Sequence, residues 1–142
     1  MHTLLGYRFD HLLLEKIPGS GIKQAQSQLL SIRLVVDNLE QEKNFFTRLL
    51  KIDPLVENEM QVLLPISSGI TINLLASTLD QKYPPVHSTP GLELDILVND
   101  IQSIWKNTAE LRHSQEKPPS AVGSRRMFQI TSPAGILLRL WQ

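Results

Sequence analysis

Four stretches of the chain alternate with the period of a β-strand. Ile32, Leu34 and Val36, then Ile70, Ile72 and Leu74, then Leu94, Ile96 and Val98, and last Ile136, Leu138 and Leu140 recur at every second position. Side chains at that spacing share one face of a strand, and all twelve are aliphatic, so this parity predicts the face that packs beneath helices. The other parity reads Ser31, Arg33, Val35, Thr71, Asn73, Leu75, Glu93, Asp95, Leu97, Leu137, Arg139 and Trp141. That mixture cannot form a dry core. It is either the solvated side of a two-layer sandwich or the wall of a cavity that offers apolar contact and a few polar groups. Val35, Leu97, Leu137 and Trp141 favour the cavity, because so much apolar surface is unfavourable on an open face.

Between these strands the period becomes helical. Leu39, Phe45, Phe46, Leu49 and Leu50 fall on one stripe, and Ile101, Ile104, Trp105, Thr108 and Leu111 on another. Asn38 and Asp100 precede them as N-caps, and Gln41 stands three residues beyond Asn38 as a capping box requires. The two arrangements are copies: Ser31–Glu40 aligns with Glu93–Gln102, and Gly69–Leu75 with Gly135–Trp141. Glu59–Leu64 and Arg125–Ile130 add a strand to each copy, with shorter strands expected near Pro54–Glu57 and His113–Glu116. The unit is β-α-β-β-β, twice. Residues 1–28, broken by Pro18-Gly19-Ser20-Gly21, read as an N-terminal extension, and residues 29–142 as one domain. Its modules are residues 29–76 and 91–142, joined by a linker over 77–90 that carries Pro84, Pro85 and Pro90. A lone module has open sheet edges and half a cavity, so modules must pair within the chain or by exchange between two chains.

Composition narrows the partners. The 142 residues carry 14 Lys+Arg against 14 Asp+Glu, so no excess field exists to hold a phosphate backbone or an anionic membrane, and neither nucleic acid nor membrane is expected as a partner. Cysteine is absent, which excludes disulfides and thiolate chemistry and makes a reducing, cytoplasmic setting the default expectation. Leu12-Leu13-Leu14 is too short for a signal or spanning segment. His2, His11, His87 and His113 show no metal-ligand spacing, and no nucleophile elbow or phosphate loop occurs.

The entry Asp37-Asn38-Leu39-Glu40 followed by Phe45-Phe46 and Leu49-Leu50, the re-entry Glu93–Asp100, and Phe128–Gly135 before the last strand resemble the vicinal oxygen chelate superfamily. That group includes glyoxalases, extradiol dioxygenases and bleomycin-resistance proteins. The resemblance spans residues 29–142 and implies an α+β fold: two tandem βαβββ modules with curled mixed sheets forming a central cavity and helices on the outer face. It also implies a homodimer. The superfamily's enzymes place metal ligands at the first residue of each opening strand and the middle of each closing strand. Those places hold Ser31 and Glu93, and Asn73 and Arg139.

This set departs from the enzymes. A divalent ion needs three or four lone-pair donors, and a guanidinium has none to give and repels the ion. We therefore expect no metal and no cofactor. Arg139 either pairs internally with Glu93, the arrangement favoured because an unpaired buried charge is unfavourable, or is left free for a ligand's anionic oxygen. Arg33 and Asp95 make a second expected couple, so these four charges sum to zero and a neutral or zwitterionic ligand with an apolar part fits best. The expected function is metal-free sequestration of a small molecule, in the manner of the resistance proteins. Apolar contact would come from Val35, Leu97, Leu137 and Trp141, and orientation from Ser31, Arg33, Asn73, Glu93, Asp95 and Arg139. The alternatives are a lyase or dioxygenase, with Glu93 as the one candidate catalytic base, and a regulatory or protein-interaction domain.

Overall fold

A computed structural model describes residues 27–77 and 92–142, so the expected extension and linker fall almost wholly outside the described residues. The first module comprises β1 (Ser31–Val36), α1 (Leu39–Leu50), β2 (Val56–Glu57), β3 (Gln61–Ser67) and β4 (Ile70–Ala76). The second comprises β5 (Glu93–Leu97), α2 (Ile101–Asn107), β6 (Ser120–Val122), β7 (Arg125–Thr131) and β8 (Leu137–Trp141). Each forms a four-stranded mixed sheet, ordered β1-β4-β3-β2 and β5-β8-β7-β6. The opening and closing strands run parallel, in registers such as Arg33 beside Asn73 and Asp95 beside Arg139, and the remaining pairs are antiparallel. No strand pairing joins the two sheets among the described residues, so they are not closed into a barrel.

The helices begin where the polar caps put them. Asn38 Oδ1 accepts the Gln41 amide and Asp100 Oδ1 the Ser103 amide, both at 3.0 Å, which satisfies donors that a helix start leaves free. The Ile101 amide reaches Gln142 Oε1 at 2.7 Å, fixing the second helix to the last residue. This helix is shorter than its stripe suggested. It stops at Asn107, and Thr108 is buried with its hydroxyl donating to the Ile104 carbonyl at 2.6 Å; a 3₁₀ turn over Ala109–Leu111 follows. A bond from a threonine hydroxyl to the carbonyl four residues back competes with the regular ladder.

The strand expected over His113–Glu116 is not formed. Glu116 folds back to accept the His113 amide at 3.3 Å and the Thr131 amide at 2.9 Å, making a turn anchored to β7. Pro118 and Pro119 then delay strand pairing until Ser120, because proline lacks the donor a ladder needs. The short strand near Pro54 is confined to Val56–Glu57. Gly69 turns β3 into β4 at φ 79°, a left-handed conformation that glycine enters without strain.

The aliphatic faces of both sheets meet in one core. Leu34, Val36, Leu64, Ile72 and Leu74 of the first module join Phe128, Ile130, Leu138 and Leu140 of the second through Phe45, Phe46 and Leu49 of α1. Phe45 and Phe46 meet edge to face at 5.5 Å, and Trp105 meets Phe128 likewise at 5.2 Å, so these rings are packing groups. The mixed face of each sheet therefore lies on the side away from the shared core.

One residue on the buried stripe is charged. Glu42 is 1% exposed, and its Oε1 accepts the Ala134 amide at 2.9 Å, linking α1 of the first module to the turn before β8 of the second. Its Oε2 is buried without a hydrogen-bond partner. Burial pushes its carboxyl above the usual glutamate value of 4.5, with the Ser132 side chain and the Ala134 amide pulling partly the other way. A carboxyl raised by folding stabilises the fold while protonated, and that contribution is lost as pH rises through the raised value. Glu42→Gln is thus expected to flatten this loss, so that its stability relative to the native chain improves from mildly acidic to neutral pH. Urea titrations across that range check it; identical pH profiles for the two proteins would contradict it.

Candidate functional site

The mixed faces carry every candidate chosen from the sequence, divided between the two sheets. Ser31, Arg33 and Val35 on β1 and Asn73 on β4 lie on the first sheet, with Leu63 of β3 beside Asn73. Glu93, Asp95 and Leu97 on β5 and Leu137, Arg139 and Trp141 on β8 lie on the second, flanked by Met127, Gln129 and Thr131 of β7.

On the second sheet the charges engage one another. Arg139 Nη2 lies 2.5 Å from Glu93 Oε1, and its Nη1 3.7 Å from Asp95 Oδ1. The expected pair of Arg139 with Glu93 is present. Asp95 Oδ1 also accepts Trp141 Nε1 at 2.8 Å. The expected couple of Arg33 with Asp95 is not formed: Arg33 is held on the other sheet, and Asp95 is already satisfied by Trp141 and Arg139.

The apolar candidates divide. Trp141 is fully buried and is not an open contact surface; Val35 is nearly so. Leu137 is half-buried, and Leu97 stands 59% exposed. A cleft of about 620 Å³ opens on this mixed face, between Leu137, Met127, Gln129 and Thr131 of the sheet and the turn carrying Glu116, Lys117 and Pro118. Its volume falls within the range of small-molecule sites. Trp141, Glu93 and Arg139 are not among its walls.

The strand expected over Arg125–Ile130 is present as β7, but its residues Met127, Gln129 and Thr131 were not among the site candidates. Its parity follows once β7 is laid antiparallel to β8, which puts Met127, Gln129 and Thr131 opposite Trp141, Arg139 and Leu137. Sequence reasoning also missed Glu42, though the signal was present: Glu42, Phe45, Phe46 and Leu49 share helical spacing, so a carboxylate stands on the apolar stripe.

The metal positions do not fit an ion. Arg139, at one of the four places, is a cation that already holds Glu93, and Ser31 and Asn73 lie on the other sheet. Among the described residues no three His, Cys, Asp or Glu side chains are grouped to hold one.

This arrangement of paired βαβββ modules is shared with solved structures. The chain is similar to a bleomycin resistance determinant encoded on the transposon Tn5, with 15% identity over 85% of this chain and 98% of that one, and a TM-score of 0.58. It is similar to a glyoxalase-related enzyme from Fulvimarina pelagi, with 13% identity over 82% and 88% and a TM-score of 0.64. A lactoylglutathione lyase from Agrobacterium tumefaciens gives 11% identity over 84% and 95%, with a TM-score of 0.60. No family model and no curated protein matches the sequence. The fold is the one these glyoxalase and bleomycin resistance proteins share. Among the described residues no helix is long and apolar enough to cross a membrane.

Proposed function

We propose that this chain is a metal-free small-molecule binder that sequesters a ligand with an apolar part, acting in the cytoplasm as a homodimer. The observation that carries this reading is the Arg139–Glu93 ion pair beside an open cleft: a ligand-sized space remains, while the position that would serve a metal holds a cation. Each mixed face is half a site within one chain, and a second copy supplies the other half. Leu97 and Val56, exposed by 59% and 41% on the mixed faces, give that second copy apolar surface to cover. The resistance determinant among the structural neighbours supports the binding role by its fold alone.

Titration with the fluorescent apolar anion anilinonaphthalene sulfonate tests the site. Saturable binding is expected, lost in Leu137→Glu, which puts a carboxylate on the cleft wall. Binding that is undiminished in Leu137→Glu would overturn the assignment of the cleft.

A further inference from the structure

The two modules do not cover their opening strands equally. Leu34 and Val36 of β1 are 5% and 1% exposed, whereas Ile96 of β5 and Val98 just beyond it, at the same places in the second copy, are only half-buried. The helices account for the difference. α1 runs from Leu39 to Leu50 and buries Phe45, Phe46 and Leu49, while α2 stops at Asn107 and buries only Ile101. What is left is a groove of about 410 Å³ along the seam between the modules, with Leu50, Ile52 and Ile66 on one side and Ile96, Val98 and Ile104 on the other. Apolar surface gathered in this way is unfavourable in water and calls for a cover.

We propose that residues 4–14 of the same chain dock in this groove and complete the cover of β5. They lie outside the described residues; their sequence and the chain's point of entry support the assignment. At helical spacing Leu5, Phe9, Leu12 and Leu13 share one side, and Asp10, His11 and Glu15 fall on the opposite side. The described chain enters at the end of the first sheet that bears the groove. There the Thr71 amide donates to the Leu30 carbonyl at 3.0 Å and the Gln28 side chain lies against Gly69, in the same β3–β4 hairpin as Ile66 of the groove wall. Leu29 and Leu30, both exposed, carry apolar surface out from that end. Residues 16–26 can span about 35 Å, more than twice the radius of gyration expected for a domain of this size, so the tether reaches. The linker over 77–90 is the weaker occupant, because Pro84, Pro85 and Pro90 interrupt its Leu79, Tyr83 and Val86 and admit no continuous helical stripe. A segment of the same chain is favoured over a second copy because tethering holds it at an effective concentration of about a millimolar. The groove shares no wall with the cleft on β7 and β8, so failure of either reading leaves the other standing.

Hydrogen exchange of the full chain tests this, with Phe9→Asp/Leu13→Asp as the releasing variant and Ile52→Glu as the reciprocal one. In the double variant the amides of residues 4–14 and of 96–104 are expected to exchange about tenfold faster than in the native chain, with β4 unchanged. Ile52→Glu should free residues 4–14 equally, though their own sequence is intact. The unchanged β4 separates release of the segment from loss of the fold, and the double variant alters no residue of the described core. Native rates for residues 4–14 equal to those of a free peptide of that sequence would overturn the proposal. Groove amides indifferent to the double variant would overturn it too, and would assign the cover to the linker or to a bound apolar molecule. Protection of residues 4–14 that falls on dilution would place the segment in the groove of a second copy and overturn docking within the chain.

Discussion

Trp141→Ala is expected to destabilise the protein by about 3–5 kcal/mol, the range for deleting a large buried aromatic side chain. The ring is fully buried, stands between Leu97 and Met127 in strand register, and its Nε1 donates to Asp95 Oδ1 at 2.8 Å. Truncation removes that packing at the end of β8 and takes a donor from a carboxylate that also faces Arg139. The melting temperature should fall by on the order of 10 °C. Trp141→Phe separates the two contributions. It keeps a buried aromatic ring but gives up the hydrogen bond and the pyrrole part of the indole, so a smaller loss of about 1–3 kcal/mol is expected. Because the indole is not a cleft wall, Trp141→Phe should leave anilinonaphthalene sulfonate binding intact. Chemical denaturation of the three proteins, with the dye titration alongside, checks both statements. Equal stability of Trp141→Ala and the native chain would show that this ring is not a packing anchor.

Arg139→Met should give the second large effect. The Arg139 side chain is 16% exposed, and its guanidinium faces Glu93 and Asp95, whose side chains are 42% and 36% exposed. Removing one partner of a fully buried pair costs about 3–5 kcal/mol, and the solvent that reaches these carboxylates lowers that to about 1–2 kcal/mol. Adding Glu93→Gln should recover most of the loss, since the remaining carboxylate Asp95 keeps its Trp141 donor. Denaturant midpoints of the single and double variants measure this directly. A double variant no more stable than Arg139→Met would mean that the pair's charge plays no part and that only the packing of the arginine stem matters.

How much of this was legible from sequence depends on the kind of interaction. The aliphatic parity of the four strands and the capped helix starts came through because burial and capping act within a few residues. The core gathered by Leu34, Ile72, Leu138 and Leu140 is the outcome. The Arg139–Glu93 pair was also legible, since the opening and closing strands of one module must be neighbours. Pairings across modules were not. Arg33 and Asp95 share a repeat position, yet the sheets are not joined, so equivalence in the repeat did not mean contact. Trp141 was read as a contact surface because strand parity gives a side chain's face and not its depth. The anchoring of Glu116 on Thr131 is fixed by a loop after α2, and no periodicity reports it. Glu42 links the modules through the turn before β8, a contact set by how α1 docks and not by the local pattern.

Native mass spectrometry of the protein purified without chelators reads assembly and metal content in one spectrum. A dimer is expected whose mass holds no metal, any additional mass being that of an organic ligand. A dimer that retains about one transition-metal ion per chain would contradict it, since a bound metal of that stoichiometry requires donors that Arg139 and its partner Glu93 do not supply.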